Sequence, residues 1–361
     1  MNMAGFNVTQ YERTSRELNK LLRRIESSEG LSVAIKTLER QQCDMAFIQH
    51  DPRTIPRWPL IDPADPQRRL SAQFNPHRAR RPTAGAVVEQ ARRDVGCALC
   101  RRHLMCQQHY REFGFGLVLA GGTAWAAWMN PFPLMPSHFI LASEEHLPQA
   151  WIADSPGMSG RNLTELLASL LDALGRLPGF VGFHNSPGAG ASQPHLHLQL
   201  FERPAAGCVF PLEQAAESTD ESEREGERGT LIAGDYPVSA MCFRGKRDAV
   251  IEAATDWAVG WLDQHRSTMP SLSANIIASA DENQAGTFRL FVVPRSKLFE
   301  RVPMLSGMPA SLEILGELVL SSESERQLLD TGQLNYHSAW QMLAAVDTPG
   351  LPRPAARRVT H

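Results

Sequence analysis

Residues 182–204 read GFHNSPGAGASQPHLHLQLFERP, and no other stretch restricts the fold of this chain as much. From His195 to Leu200 polar and apolar residues alternate, which is the period of a half-buried strand. Side chains two apart share one face of a strand. His195, His197 and Gln199 therefore point one way, and Leu196, Leu198 and Leu200 point into a core. The segment just before, NSPGAGAS at 185–192, is built of small residues. Glycines let a backbone approach a ligand closely, and successive free N–H groups cradle an anion. A small-residue loop running into a strand with two imidazoles and an amide on one face points to attack at phosphorus. The rival reading, strand histidines held only by hydrogen bonds, suits a lone histidine better than two with a glutamine in register.

Around this strand the pattern is α+β. Leu18, Leu21, Leu22 and Ile25 recur at helical spacing within residues 7–50, and 31–48 continues in the same way. With a Pro- and Asp-rich connector at 51–66, residues 1–74 read as a helical extension packed on the main body or on a partner subunit. Strands are expected at 115–120 and 124–129, joined at Gly121 and Gly122, and at 138–142 and 181–183. A helix is expected at 162–174, ending near Gly175. Residues 213–229, EQAAESTDESEREGERG, are charged and poor in apolar side chains. They predict a flexible linker between two halves, 75–212 and 230–347. Beyond it come a helix at 250–264, strands at 274–280, 288–293 and 311–320, a helical stretch at 322–343 and a Pro- and Arg-rich tail at 348–361.

Composition excludes several functions. The 361 residues carry a net charge of −3, without the basic field that gathers nucleic acid or anionic membrane. No apolar run reaches the length of a membrane span, and the first residues lack the core of a signal peptide. Six cysteines without such a signal argue against a disulfide scaffold. A cytoplasmic protein with reduced thiols is the expectation. Cys97 and Cys100 then read either as a redox pair or as half of a metal site. The redox reading wants a thioredoxin-like βαβ context, which the pattern lacks. Zinc wants two more thiolates or imidazoles. His103, His109, His138, His146, His184 and His195 are all candidates.

Asn185, Gly190, Ser192, His195, His197 and Gln199 resemble the active-site signature of the histidine-triad superfamily, in its transferase branch. That branch holds galactose-1-phosphate uridylyltransferase, the diadenosine-tetraphosphate phosphorylases (ATP adenylyltransferases) and the GDP-sugar phosphorylases. The hydrolase branch has a third histidine where this chain has Gln199. The likeness extends over residues 75–345 and is specific at 97–100, 130–149 and 182–204. It implies histidine-triad-like antiparallel sheets with flanking helices, in two related halves. It also narrows the metal ligands to Cys97, Cys100, His146 and His195, a closed structural zinc site.

The resemblance implies a nucleotidyltransferase or phosphorylase with His197 as nucleophile, forming a covalent nucleotidyl-histidine. Gln199 and Ser192 would act on the phosphoryl oxygens. Asn185, Gly190 and Gln149 would contact the nucleotide. Asn130 and His138 resemble the segment that holds the nucleoside, with a Pro-rich turn and an exposed histidine as the rival reading. Arg295 and Lys297, at the end of a second-half strand, are candidates for the acceptor phosphate, against the reading of solvated surface charge. The implied partners are a dinucleoside polyphosphate or nucleoside-diphosphate sugar as donor, and phosphate or a sugar phosphate as acceptor. Mg2+ can accompany the nucleotide, and a homodimer fits the pattern. Two other readings compete: a histidine-triad hydrolase, and a zinc-stabilised nucleotide-binding module without turnover. Gln199 in the third position counts against the first, and the presence of both imidazoles against the second.

Overall fold

The computed structural model describes residues 8–80, 97, 99–100, 112–151, 158–218, 229–265, 273–295, 302, 304–348 and 351. The chain opens with helices α1 (Val8–Glu29) and α2 (Leu31–Asp44), which part at Gly30. The predicted helical extension does not run on to residue 74. A hairpin of β1 (Arg57–Ile61) and β2 (Arg69–Phe74) follows instead. Pro59 hides the first strand from a propensity reading. It is tolerated because β1 is an edge strand, where a missing N–H breaks no ladder.

The main sheet begins with β3 (Phe115–Val118), β4 (Ala124–Met129) and β5 (Phe139–Ser143). Helix α3 (Met158–Gly175) leads to β6 (Phe180–Asn185) and β7 (His197–Glu202). After α4 (Pro211–Ser218) come β8 (Thr230–Ile232), β9 (Ala240–Lys246), helix α5 (Arg247–His265), β10 (Ser273–Ala280) and β11 (Thr287–Arg295). These nine strands form one antiparallel sheet in the order β3-β4-β5-β7-β6-β10-β11-β9-β8. A repeat is visible in that order. Strand, strand, helix, strand, strand gives β4-β5-β7-β6 in the first half and β8-β9-β11-β10 in the second. The equivalent strands β6 and β10 pair at the junction, with Asn185 opposite Asn275. The architecture is α+β, with a nine-stranded antiparallel sheet, flanking helices and two related halves, as the sequence predicts.

Two segments depart from expectation. Residues 213–218 of the expected linker belong to helix α4. Glu213 is buried there, and its carboxylate accepts from both Nη atoms of Arg203 at 2.7 and 2.6 Å, and from Phe210 N and Ser279 Oγ. Charge-rich composition reads as solvated. One fully paired carboxylate among many exposed ones leaves no compositional trace. Residues 219–228 of the expected linker lie outside the described residues. Residues 311–320 are not one strand. Helical turn α6 (Ser311–Ile314) ends at Gly316, where φ is +102°, and β12 (Glu317–Leu320) follows. β12 pairs in parallel with β2, so the small sheet β1-β2-β12 joins the two ends of the chain. Helices α7 (Glu323–Asp330) and α8 (Tyr336–Ala344) complete the described fold.

Each face of the main sheet has its own core. Phe180, Leu198, Leu200 and Ile276 pack with leucines of α3, and a Cβ at Gly182 would meet Leu170 and Leu200. Val181, Phe183 and Phe201 point the other way, against Leu318 and Leu320 of β12 and residues of α8. Period two thus puts His184 on the helix face, and Asn185, His197 and Gln199 on the face covered by the small sheet. Among the described residues no helix is long and apolar enough to cross a membrane.

Candidate active site and metal centre

His195 sits just before β7 and is held by a lone bridge to Pro148. Its Nε2 lies 2.7 Å from the Ser143 carbonyl. A carbonyl only accepts, so Nε2 carries the hydrogen and Nδ1 keeps its lone pair. That Nδ1 is 3.6 Å from Cys97 Sγ and 3.5 Å from Cys100 Sγ, and His146 Nδ1 is 3.1 Å from Cys100 Sγ. All four ligand atoms lie within 4.8 Å of one another. Leu99, Trp128 and Ala142 cover the group. Two thiols and two imidazoles converging in an apolar shell, one ring oriented by a backbone carbonyl, can hold a metal ion. Of the other candidate histidines, His103 and His109 lie outside the described residues, and His138 and His184 lie elsewhere.

His197 opens β7 and is almost wholly buried. Its Nδ1 is 2.8 Å from the His195 carbonyl, so Nδ1 carries the hydrogen and Nε2 is left with its lone pair. Burial pulls the imidazole down to about 4, against the smaller opposing effect of that hydrogen bond. The ring is neutral at physiological pH and has one nitrogen available.

Gln149 does not reach for a ligand. It is buried, its Nε2 donates to Asn185 O (2.9 Å) and His197 O (3.1 Å), and its Oε1 accepts from His197 N (2.6 Å). The side-chain amide takes the place of a peptide group where β6 and β7 separate. His138 likewise braces the interior and is fully buried, not exposed. Its Nδ1 accepts from Leu134 N at 3.1 Å, so Nε2 carries the hydrogen and donates to Gln199 Oε1, also at 3.1 Å. That choice leaves the Gln199 NH2 as a donor. Asn130 is buried too, with Oδ1 accepting from Phe132 N at 2.9 Å.

The N-terminal helices support this arrangement. Glu39 of α2 accepts from Ser137 N (3.0 Å) and Ser137 Oγ (2.8 Å), which fixes a residue at φ +49° beside His138. A line of contacts thus runs from Glu39 through Ser137 and His138 to Gln199. Nothing in the amphipathic pattern of α2 distinguishes Glu39 from its solvated neighbours.

Asn185, Gly190 and Gln199 line one cavity of about 310 Å³, with Met308, Leu312 and Val319 also in its wall. Gly190 has φ +100°, and a Cβ there would collide with Ala310. Ser192 is half-buried in the same loop. Arg295 is placed differently from expectation. It is fully buried, and its Nη1 donates to Asn275 Oδ1 (2.9 Å) and Pro309 O (3.1 Å), so it braces the interior instead of meeting an acceptor at the surface. Lys297 lies outside the described residues.

A family described as Domain of unknown function (DUF4922) matches residues 61–202. No curated protein matches the chain. Solved structures do. Yeast Ap4A phosphorylase Apa2 in complex with AMP superposes with a TM-score of 0.56 at 15% identity, over 87% of this chain and 98% of the yeast chain. The same yeast enzyme in complex with Ap4A gives 0.55 at 16% identity, over 86% and 98%. The chain has the histidine-triad-like fold. The matched domain, 61–202, takes in the metal cluster, His197 and Gln199, and stops before the second half of that fold begins.

Proposed function

We propose that the protein is a nucleotidyltransferase of the phosphorylase type, working through a covalent nucleotidyl-His197. The observation that carries this reading is the 2.8 Å contact of His197 Nδ1 with the His195 carbonyl. With Nδ1–H committed to the His195 carbonyl, the only lone pair on the ring is at Nε2. It attacks the α-phosphorus of a dinucleoside polyphosphate or nucleoside-diphosphate sugar. A P–N bond forms, and the P–O bond to the leaving phosphate breaks with its electron pair. The leaving oxygen belongs to a phosphate and needs no proton. In the second step an oxygen of the acceptor, phosphate or a sugar phosphate, attacks the same phosphorus. The P–N bond breaks and Nε2 regains its pair.

No step calls for a titrating group at position 199, and a glutamine cannot supply one. Gln199 instead donates its NH2 to a non-bridging oxygen, with Ser192 and the glycine-loop N–H groups beside it. The yeast enzyme that shares the fold is named as an Ap4A phosphorylase, which supports this choice of reaction.

The metal assigned to the Cys97, Cys100, His146 and His195 cluster is zinc. Tetrahedral bonds of ~2.3 Å to sulfur and ~2.0–2.1 Å to nitrogen set S···N edges of about 3.6 Å. The separations in the cluster are 3.1, 3.5 and 3.6 Å. With all four positions taken by Cys97, Cys100, His146 and His195, such an ion would be structural, and it would hold in place His195, whose carbonyl sets the His197 tautomer. Mg2+ would serve the nucleotide phosphates.

The test is to incubate the protein with dinucleoside polyphosphates and nucleoside-diphosphate sugars, with and without phosphate. Phosphate-dependent release of a nucleoside diphosphate is expected. Donor consumption at a rate independent of phosphate would point to the hydrolase, and tight donor binding with no consumption to the module.

A further inference from the structure

The domain match ends at residue 202, yet the polar groups beneath the small-residue loop come from the second half of the chain. Asn185, the last residue of β6, has an Oδ1 that accepts from Asn275 Nδ2 (2.7 Å), Ser311 Oγ (2.5 Å) and Ser311 N (3.2 Å). Rotating that amide by 180° would set its NH2 against the Asn275 NH2 and the Ser311 N–H, two groups that can only donate. The NH2 is therefore turned away from them, and Asn185 lines the cavity that also holds Gln199 and Gly190. Gln199 repeats the arrangement, with its oxygen committed to His138 Nε2. Two amide NH2 groups thus belong to one cavity, each with its oxygen spent on a buried partner.

Asn275 is itself held. Its Nδ2 hydrogens go to Asn185 Oδ1 and to Ala189 O (2.7 Å), and its Oδ1 accepts from Arg295 Nη1. Arg295 also donates to Pro309 O, two residues before Ser311. Ser273 Oγ donates to Pro187 O at 2.8 Å. The loop between β6 and β7 is tied at Asn185, Pro187 and Ala189 to β10 and α6.

We propose that Asn275, Ser311 and Arg295 are positioning residues for nucleotidyl transfer. They fix the Asn185 amide so that its NH2 meets a non-bridging oxygen of the reacting phosphoryl group, beside the NH2 of Gln199. Phosphoryl oxygens only accept hydrogen bonds. A donor whose orientation is set before the reaction needs no reorganisation as charge develops on them. The second half, which lacks the two imidazoles, contributes to the chemistry by this route. The inference rests on the nucleotidyl-histidine reading above.

The test uses the full-length protein with its metal. Asn275→Asp keeps size and shape but offers Asn185 Oδ1 an acceptor in place of a donor. The Asn185 amide then turns over and presents its oxygen to the cavity. The rate of single-turnover labelling of His197 should fall on the order of 10- to 100-fold, by analogy with loss of an oxyanion donor. The Kd for a mononucleotide and the metal content should stay near the wild-type values. Ser311→Ala, which retains the backbone donor, should lower the rate about 3- to 10-fold with KM little changed, and it decides the question if Asn275→Asp does not fold. Wild-type rates in the variant that folds, or a rise in KM or Kd that accounts for the whole loss, overturn the inference. Failure of the wild-type protein to label at all would instead overturn the nucleotidyl-histidine reading.

Discussion

Gln149 closes the gap between β6 and β7 with its side chain, so its loss should be felt in stability before affinity. Gln149→Ala leaves three buried backbone groups without partners: His197 N, His197 O and Asn185 O. Each buried polar group stranded in this way costs about 1–3 kcal/mol, and water reaching the vacated space favours the lower end, so the sum is about 3–6 kcal/mol. At roughly 2–4 °C per kcal/mol, Tm should fall on the order of 10 °C. Gln149→Glu keeps an acceptor for His197 N but loses both donations and buries a carboxylate against two carbonyls. It should fall at least as far. Thermal melts with metal content measured in parallel provide the assay. A Tm within about 1 °C of wild type in Gln149→Ala, together with a raised KM for the donor, would refute the reasoning and return Gln149 to the nucleotide contacts.

His184 is fully buried on the helix face, and among the described residues neither ring nitrogen has a hydrogen-bond partner. Burial, with nearby His197 adding to it, pulls this imidazole down to about 3. The folded state refuses a proton that the unfolded chain accepts near 6.5, so stability is intact above that pH and is lost as pH falls toward 3. Between about pH 7.5 and pH 5 the loss is ~2 kcal/mol. His184→Phe should flatten this part of the pH–stability curve and raise Tm at neutral pH, and an equally steep curve in the variant would contradict it. Elemental analysis should find about one zinc per chain, absent from Cys97→Ser/Cys100→Ser, whose Tm drops because metal-binding free energy is folding free energy. Zinc retained in that double variant would count against the ligand set. Gln199→His places a titratable group beside the reacting oxygen, so the ratio of hydrolysis to phosphorolysis should rise severalfold. An unchanged product ratio would mean that Gln199 does not set the acceptor.

The alternation at 195–200 is legible because a strand repeats every two residues and its apolar half must be buried. The same logic exposes most of the strands of the main sheet. The metal cluster is half legible. Spacing offers Cys97 and Cys100, whereas choosing His146 and His195 from six histidines takes the resemblance to a known signature. The structure brings those four together. Other features leave little trace. Pro59 disguises β1, and the pairing of Glu213 with Arg203 turns part of a charged segment into an ordered helix. Gln149, His138 and Arg295 sit in or near the motifs and read as ligands. A polar residue that braces the backbone and one that meets a substrate have the same composition, and only the direction of the side chain separates them. Asn275 is the converse. One amide in the apolar run SANIIASA is the mark of a buried polar group with committed partners, a signal the pattern of β10 does carry.

A covalent nucleotide on His197 would change the mass of the intact protein. The protein is incubated with a panel of dinucleoside polyphosphates and nucleoside-diphosphate sugars in the absence of acceptor. A gain of one nucleoside monophosphate is expected. The bond should be labile in acid and comparatively stable in base, as befits P–N, and discharge when phosphate is added. His197→Ala should show no gain while keeping its fold and metal. A label that survives His197→Ala, or turnover with sequential kinetics and no labelled species, would contradict the double displacement.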